Sequence, residues 1–155
     1  MSDRELTLTA KEEAWEKEWL KQLDIASDSL DISSWERFFQ PDAIARLGNS
    51  PELRGWAEIQ AALMPVLSSL SLMKHTVVHT TFVPPEGVVY HSCLVSYKVK
   101  GDETDEQFDL PALAVISKEL GTQEWQLSRF EVFNDLSPVL LRVKEVMAKE
   151  AAAQQ

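Results

Sequence analysis

Residues Trp125 to Pro138 read WQLSRFEVFNDLSP, and this stretch decides how the chain is understood. Read as a strand over 124–134, its side chains alternate between two faces. Trp125, Leu127, Arg129, Glu131 and Phe133 then share one face. Gln126, Ser128, Phe130 and Val132 share the other. An arginine and a glutamate therefore stand among large apolar groups. Burying charge is costly unless the charges are paired or used. Two readings are open: an ion pair at a sheet edge or dimer seam, or the polar floor of an apolar cavity.

Upstream, the side-chain period is two. Further strands are expected over 75–83, 88–99 and 107–118, joined by Pro84-Pro85-Glu86-Gly87, by the charged loop 100–106 and by a turn at Gly121. Before His75 the period is near four. Thr9 and Glu12 form a capping box, which predicts a helix to about Ser27 with Trp15, Trp19 and Leu23 as its buried stripe. Glu13 and Lys17 make a favourable pair on its wet side. A short helix is expected over 32–39 and an extended segment over 43–47. A third helix is expected over 56–72, which Pro65 should kink or split. A closing helix over 139–153 ends the chain. Residues 1–8 read as a flexible arm, 9–148 as one domain and 149–155 as a fraying tail. Three helices followed by an antiparallel meander make an α+β layout. The run 110–116, LPALAVI, is apolar on both faces, so one face is expected on the helices and the other on a second subunit, as a homodimer.

Composition narrows the function. A chain of 155 residues with 45% apolar residues is long enough for one real core. Twenty-five acids against 15 Lys and Arg give a net charge of −10, which opposes nucleic acid and anionic membranes as partners. The single Cys93 cannot form an internal disulfide and reads as a packed apolar residue. No apolar run is long enough to span a bilayer. The N-terminus MSDRELTLTAKEE has no apolar signal core, so a cytoplasmic location is expected. The three histidines fall on two strands with no helical His pair, which gives no metal site. No Gly-rich phosphate loop or nucleophile elbow is visible, so a cofactor-independent protein is expected.

Several spaced motifs carry a resemblance. They are Trp35-x-x-Phe38-Phe39-x-Pro41-Asp42-Ala43, Gly48-Asn49-x-Pro51-x-x-x-Gly55-x-x-x-Ile59, Lys74-His75, Tyr97-x-Val99-Lys100, Asp109-Leu110-Pro111 and Glu131 through Pro138. Their order over residues 10–146 resembles the nuclear-transport-factor-two-like superfamily, in its SnoaL-like branch. The resemblance implies a cone-like α+β barrel. In it, three N-terminal helices pack on a curled antiparallel sheet, with a C-terminal helix, an inner pocket and a dimer on the outer sheet face. The ketosteroid isomerases of this superfamily place acids where this chain has Leu113 and Ile44-Ala45-Arg46-Leu47, so that chemistry is discounted. The limonene-epoxide-type hydrolases place an acid on the last strand, and Glu131 resembles it. Their Arg-x-Asp, which should fall within 92–97, is absent.

Glu131 is the first candidate for proton transfer, since a carboxyl in an apolar cavity suits a general acid or base. Arg129 would hold it ionised or stabilise an oxyanion. His75 and Tyr97 would assist. His91 and Asp109 are further possibilities, each as readily explained by an ordinary structural role. Trp19, Trp35, Phe38, Trp56, Leu113 and Phe133 are expected to line the pocket. The leading reading is an isomerase or cyclase acting on a hydrophobic small molecule in natural-product biosynthesis. The alternatives are a non-catalytic dimeric ligand-binding or interaction module, and an epoxide hydrolase.

Overall fold

The computed structural model describes residues 7–155, so six residues of the expected N-terminal arm lie outside the described residues. Helix α1 (Ala10–Asp28) starts at the capping box: the Thr9 N–H donates to Glu12 Oε2 at 2.8 Å and the Glu12 N–H to Thr9 Oγ1 at 3.2 Å. Single 3₁₀ turns follow at Ile32–Ser34 and Glu36–Phe38. Strands β1 (Phe39–Leu47) and β2 (Leu53–Arg54) precede helix α2 (Trp56–Ser68). The remaining elements are β3 (Leu70–Val83), β4 (Val88–Val99), β5 (Phe108–Ser117), β6 (Leu127–Asn134) and helix α3 (Ser137–Ala153). The six strands form one curled, open sheet in the order β2-β1-β6-β5-β4-β3. All neighbours are antiparallel except β1 and β6, which run parallel.

The core lies between the concave face of this sheet and α1, α2 and the 3₁₀ turns. Trp19, Leu23, Phe38, Ile59, Ile116 and Leu127 are buried there. A second cluster under α3 joins Val139 and Val146 to Val95, Tyr97 and Val99. Each fully buried large aliphatic or aromatic group contributes about 1.5–3 kcal/mol, so these clusters hold the cone together.

Four expectations are corrected. The short helix over 32–39 is two isolated 3₁₀ turns, and Phe39 already begins a strand. That strand crosses Pro41, where the β1–β6 register shifts between Phe39 and Ile44 and a missing N–H leaves no ladder bond broken. Gly55, at φ +80°, closes the neighbouring loop by donating to Ala43 O at 2.8 Å. The third helix ends at Ser68, not 72, without splitting at Pro65. Pro65 sits in the last turn, where the Ser68 and Ser69 hydroxyls satisfy the Pro65 and Val66 carbonyls. The stripe on α1 is rotated: Trp15 is only half-buried, while Glu16 is buried beside Trp19 and Leu23.

The fourth correction matters most. Alternation in β6 slips by one residue, because Leu127 and Phe130 are both buried in the same core. Leu127 pairs only with Phe39 of β1, and the ladder with β5 begins at Ser117–Arg129. From there Phe130 and Val132 share rungs with Ile116 and Ala114 on the concave face. Arg129, Glu131 and Phe133 share rungs with Ser117, Val115 and Leu113 on the convex face. A one-residue slip moves every later side chain to the other side of the sheet.

Candidate active site

Arg129 and Glu131, expected inside the cone, therefore lie outside it. Arg129 Nε donates to Glu131 Oε1 at 2.6 Å and its Nη2 to Glu52 Oε1 at 2.7 Å. This half-exposed cluster ties β6 to the loop before β2. The two flanking carboxylates raise the Arg129 pKa, and hydrogen bonding from Arg129 holds Glu52 below the usual carboxylate range. Of the two readings of this pair, the structural one fits its position. Leu113 and Phe133 share the same convex face, and Phe133 is 51% exposed. Asp109 is also outside the cone, accepting from Ser96 Oγ at 2.6 Å and Gln107 Nε2 at 2.9 Å, bonds that lower its pKa. Trp19, Trp35 and Phe38 are packed core, with Trp19 edge-on to Phe38 at 5.8 Å. Trp56 stacks obliquely on Phe39 at 5.3 Å and borders a separate surface groove.

His75, His91 and Tyr97 do face the concave side. β3 and β4 pair there as His75–Val95, Thr80–His91 and Met73–Tyr97. Helix α1 crosses above them and presents two carboxylates one turn apart, Asp24 and Asp28. Asp28 takes the backbone N–H of His75 at 3.1 Å and binds His75 Nδ1 at 2.6 Å. Asp24 Oδ2 meets His91 Nε2 at 3.0 Å, and Thr80 Oγ1 meets His91 Nδ1 at 3.0 Å. A carboxylate only accepts, so a neutral His75 carries its proton on Nδ1. Its Nε2 then holds a free lone pair and has no hydrogen-bond partner among the described residues. Both nitrogens of His91 are engaged.

The two histidines and the α1 carboxylates border two spaces, and Tyr97 borders neither. An inner hollow of about 50 Å³ is lined by Asp24, His75, His91, Cys93, Ala114 and Phe130. An open groove of about 350 Å³ along α1 is lined by Leu20, Lys21, Asp24, Asp28, His75 and Thr80, with His91 at its base. Asp24, His75 and His91 belong to both. Burial pushes the Tyr97 hydroxyl up to about 12, with the Asn134 side chain opposing and the Asp28 charge adding. Tyr97 thus stays a proton donor at neutral pH. Burial, reinforced by Asp24 and Asp28, likewise pushes the Cys93 thiol up to about 12. Cys93 is expected to resist iodoacetamide at pH 8 and to react once the chain is unfolded in guanidinium. Rapid labelling of the folded protein would contradict the packing described.

Asp24 and Asp28 were missed by the sequence reading. On α1 they read as ordinary wet-face acids, and only the crossing of α1 over β3 and β4 gives them histidine partners.

No family model matches the chain. No curated protein matches it. Solved structures do. One named as a polyketide cyclase from Xanthomonas campestris pv. campestris is 16% identical, covering 85% of this chain and 98% of its own at a TM-score of 0.68. One named as a SnoaL-like polyketide cyclase from Jannaschia sp. CCS1 is 12% identical, covering 84% and 92% at a TM-score of 0.67. TerC, co-crystallised with polyporic acid, is 13% identical, covering 84% and 98% at a TM-score of 0.64. At such identities the likeness speaks for the backbone and not for the chemistry. The backbone likeness shows that this chain has the fold shared by these SnoaL-like and NTF2-like structures.

Proposed function

We propose that this chain is a cofactor-independent isomerase or cyclase that moves a proton on a hydrophobic small molecule bound in the groove along α1. One observation carries the reading. His75 is locked by Asp28 through Nδ1 at 2.6 Å and leaves Nε2 free where the groove meets the hollow. A positioned imidazole with one free nitrogen is a general base that becomes the general acid of the return step. Asp28 fixes the tautomer and stabilises the imidazolium as it forms. Tyr97 lines neither the groove nor the hollow and packs under α3 with Val95 and Val139, so it has no part in this proton transfer. A groove of about 350 Å³ falls within the usual range for small-molecule sites. The polyketide cyclase names among proteins of this fold support a natural-product setting.

The test uses the reaction class, since enolisation exchanges the carbon-bound hydrogen next to a carbonyl. Aromatic ketones and hydrophobic 1,3-dicarbonyl compounds are incubated with the protein in D₂O and analysed by mass spectrometry. Deuterium gain above the protein-free rate, lost in His75→Gln, supports the reading. Exchange that survives His75→Gln, or its absence across the panel, overturns it.

A second reading has its own observation. The hollow inside the cone holds only about 50 Å³, far below a usual ligand cavity. That favours a non-catalytic module which binds ligands in the outer groove alone. It would show saturable ligand binding without any exchange.

We also propose a homodimer through the convex sheet face. Tyr90, Leu94 and Phe133 are 40%, 39% and 51% exposed there, on a face that also carries Leu113 and Val115. Sedimentation velocity is expected to give a dimer, and Phe133→Asp a folded monomer. A wild-type monomer at micromolar concentration would refute this surface as the seam.

A further inference from the structure

The His75 reading leaves a second buried set of groups unused. Asp24, His91 and Cys93 come from α1 and β4, and one donor atom from each lies within 4.8 Å of the others. His91 and Cys93 are 4% and 3% exposed, two residues apart on one face of β4, so both project to the same side. Asp24 arrives from the helix that crosses them. The inner hollow opens directly on all three.

We propose that Asp24, His91 and Cys93 bind a single zinc-class divalent transition metal, with the hollow holding the fourth position. Thiolate, imidazole and carboxylate together suit zinc or cobalt and not magnesium or calcium. Zinc bonds of about 2.0–2.3 Å place tetrahedral donors about 3.5 Å apart, a contraction that side-chain adjustments of about 1 Å supply. The hollow, at about 50 Å³, exceeds the ~30 Å³ share of one water, so an open coordination position can carry solvent. Thr80 supplies the outer contact that metal-bound histidines ordinarily have. Its hydroxyl accepts as well as donates. His91 can therefore carry its proton on Nδ1 toward Thr80 Oγ1 and turn a bare Nε2 to the metal. Binding releases one proton, from the Cys93 thiol, to solvent. Nothing in this site calls on the free Nε2 of His75, so the inference goes beyond the proton-transfer reading and does not depend on it.

Protein stripped with a chelator is titrated with Zn²⁺ by calorimetry, and separately with Co²⁺ by absorption spectroscopy. One metal per chain is expected, with a thiolate-to-cobalt charge-transfer band in the near ultraviolet. Cys93→Ser should remove the band and Asp24→Asn should weaken zinc at least tenfold. Thr80→Val should weaken it by about 10–100-fold, the usual effect of losing an outer contact. Far-ultraviolet circular dichroism and melting curves confirm that each variant is folded. Failure to bind zinc stoichiometrically overturns the proposal. Binding that both Cys93→Ser and Asp24→Asn leave unchanged does so too, because the ion then sits elsewhere.

Discussion

Lys118→Met is expected to cost the fold about 3–5 kcal/mol, the usual effect of stranding a buried charge. The Lys118 and Glu16 side chains are 1% and 2% exposed. Lys118 Nζ donates to Glu16 Oε2 at 2.9 Å, to Glu16 Oε1 at 3.1 Å and to the Glu119 carbonyl at 3.0 Å. It also lies over the Trp19 ring, 5.2 Å from its centre. Glu16 Oε1 accepts the Gly121 N–H at 3.2 Å, so the pair fastens α1 to the turn between β5 and β6. Methionine fills the space of the lysine stem but leaves the Glu16 carboxylate without its cation. For a domain of this size the loss corresponds to a fall in Tm of roughly 6–20 °C. The double variant Glu16→Gln/Lys118→Met removes both charges and keeps an acceptor for Gly121. It should recover at least half of the lost stability. Guanidinium melts of the four proteins close the cycle. A single variant within about 1 kcal/mol of wild type, the centre of ordinary substitutions, would show that the pair is not buried as described.

His75→Gln carries the largest expected effect on function. On a substrate found by deuterium exchange, turnover should fall by about 10²–10⁴-fold, the usual contribution of a positioned acid or base. The Gln amide can still donate to Asp28, so the variant should remain folded. KM should change little, because the imidazole acts on the reacting hydrogen and adds little to ground-state binding. Asp28→Asn should lower kcat less, since the imidazole remains but its tautomer is no longer imposed. Glu131→Gln, on the convex face, should keep its turnover. Equal losses in His75→Gln and Glu131→Gln would overturn the assignment of the reacting face.

The two glutamates mark what the chain's sequence discloses and what it withholds. Local rules worked where local contacts decide. The capping box at Thr9, the Glu13–Lys17 pair at 3.0 Å and the period-two alternation of β4 are all present. The spaced motifs led to the right fold: Gly48 to Gly55 mark the turn before α2, Asp135 to Pro138 the start of α3, and the others lie largely within strands. Glu16 and Glu131 were beyond those rules. Glu16 sits three residues before Trp19 on the same helix face, but nothing near it in the sequence reveals the cation that Lys118, 102 residues away, supplies. Glu131 was assigned to the cone by strict alternation. Its true side depends on where β6 first pairs with β1 and β5, which no window of the chain contains. The candidate site was half legible. His75 and His91 were singled out on their strands, Tyr97 proved to be core under α3, and Asp24 and Asp28 needed the tertiary crossing.

The inner hollow also separates two tasks that a lineage can adjust independently. Every ionisable group around it comes from α1, β3 or β4, whereas β5 contributes Ala112, Ala114 and Ile116, and β6 contributes Phe130 and Val132. Exchanging alanine for bulkier aliphatics, or trimming the phenylalanine, would resize the chamber and leave the acids and imidazoles in place. Descendants of such a scaffold can therefore change the bulk of the guest they accept, one methyl at a time, while inheriting the same reactive groups.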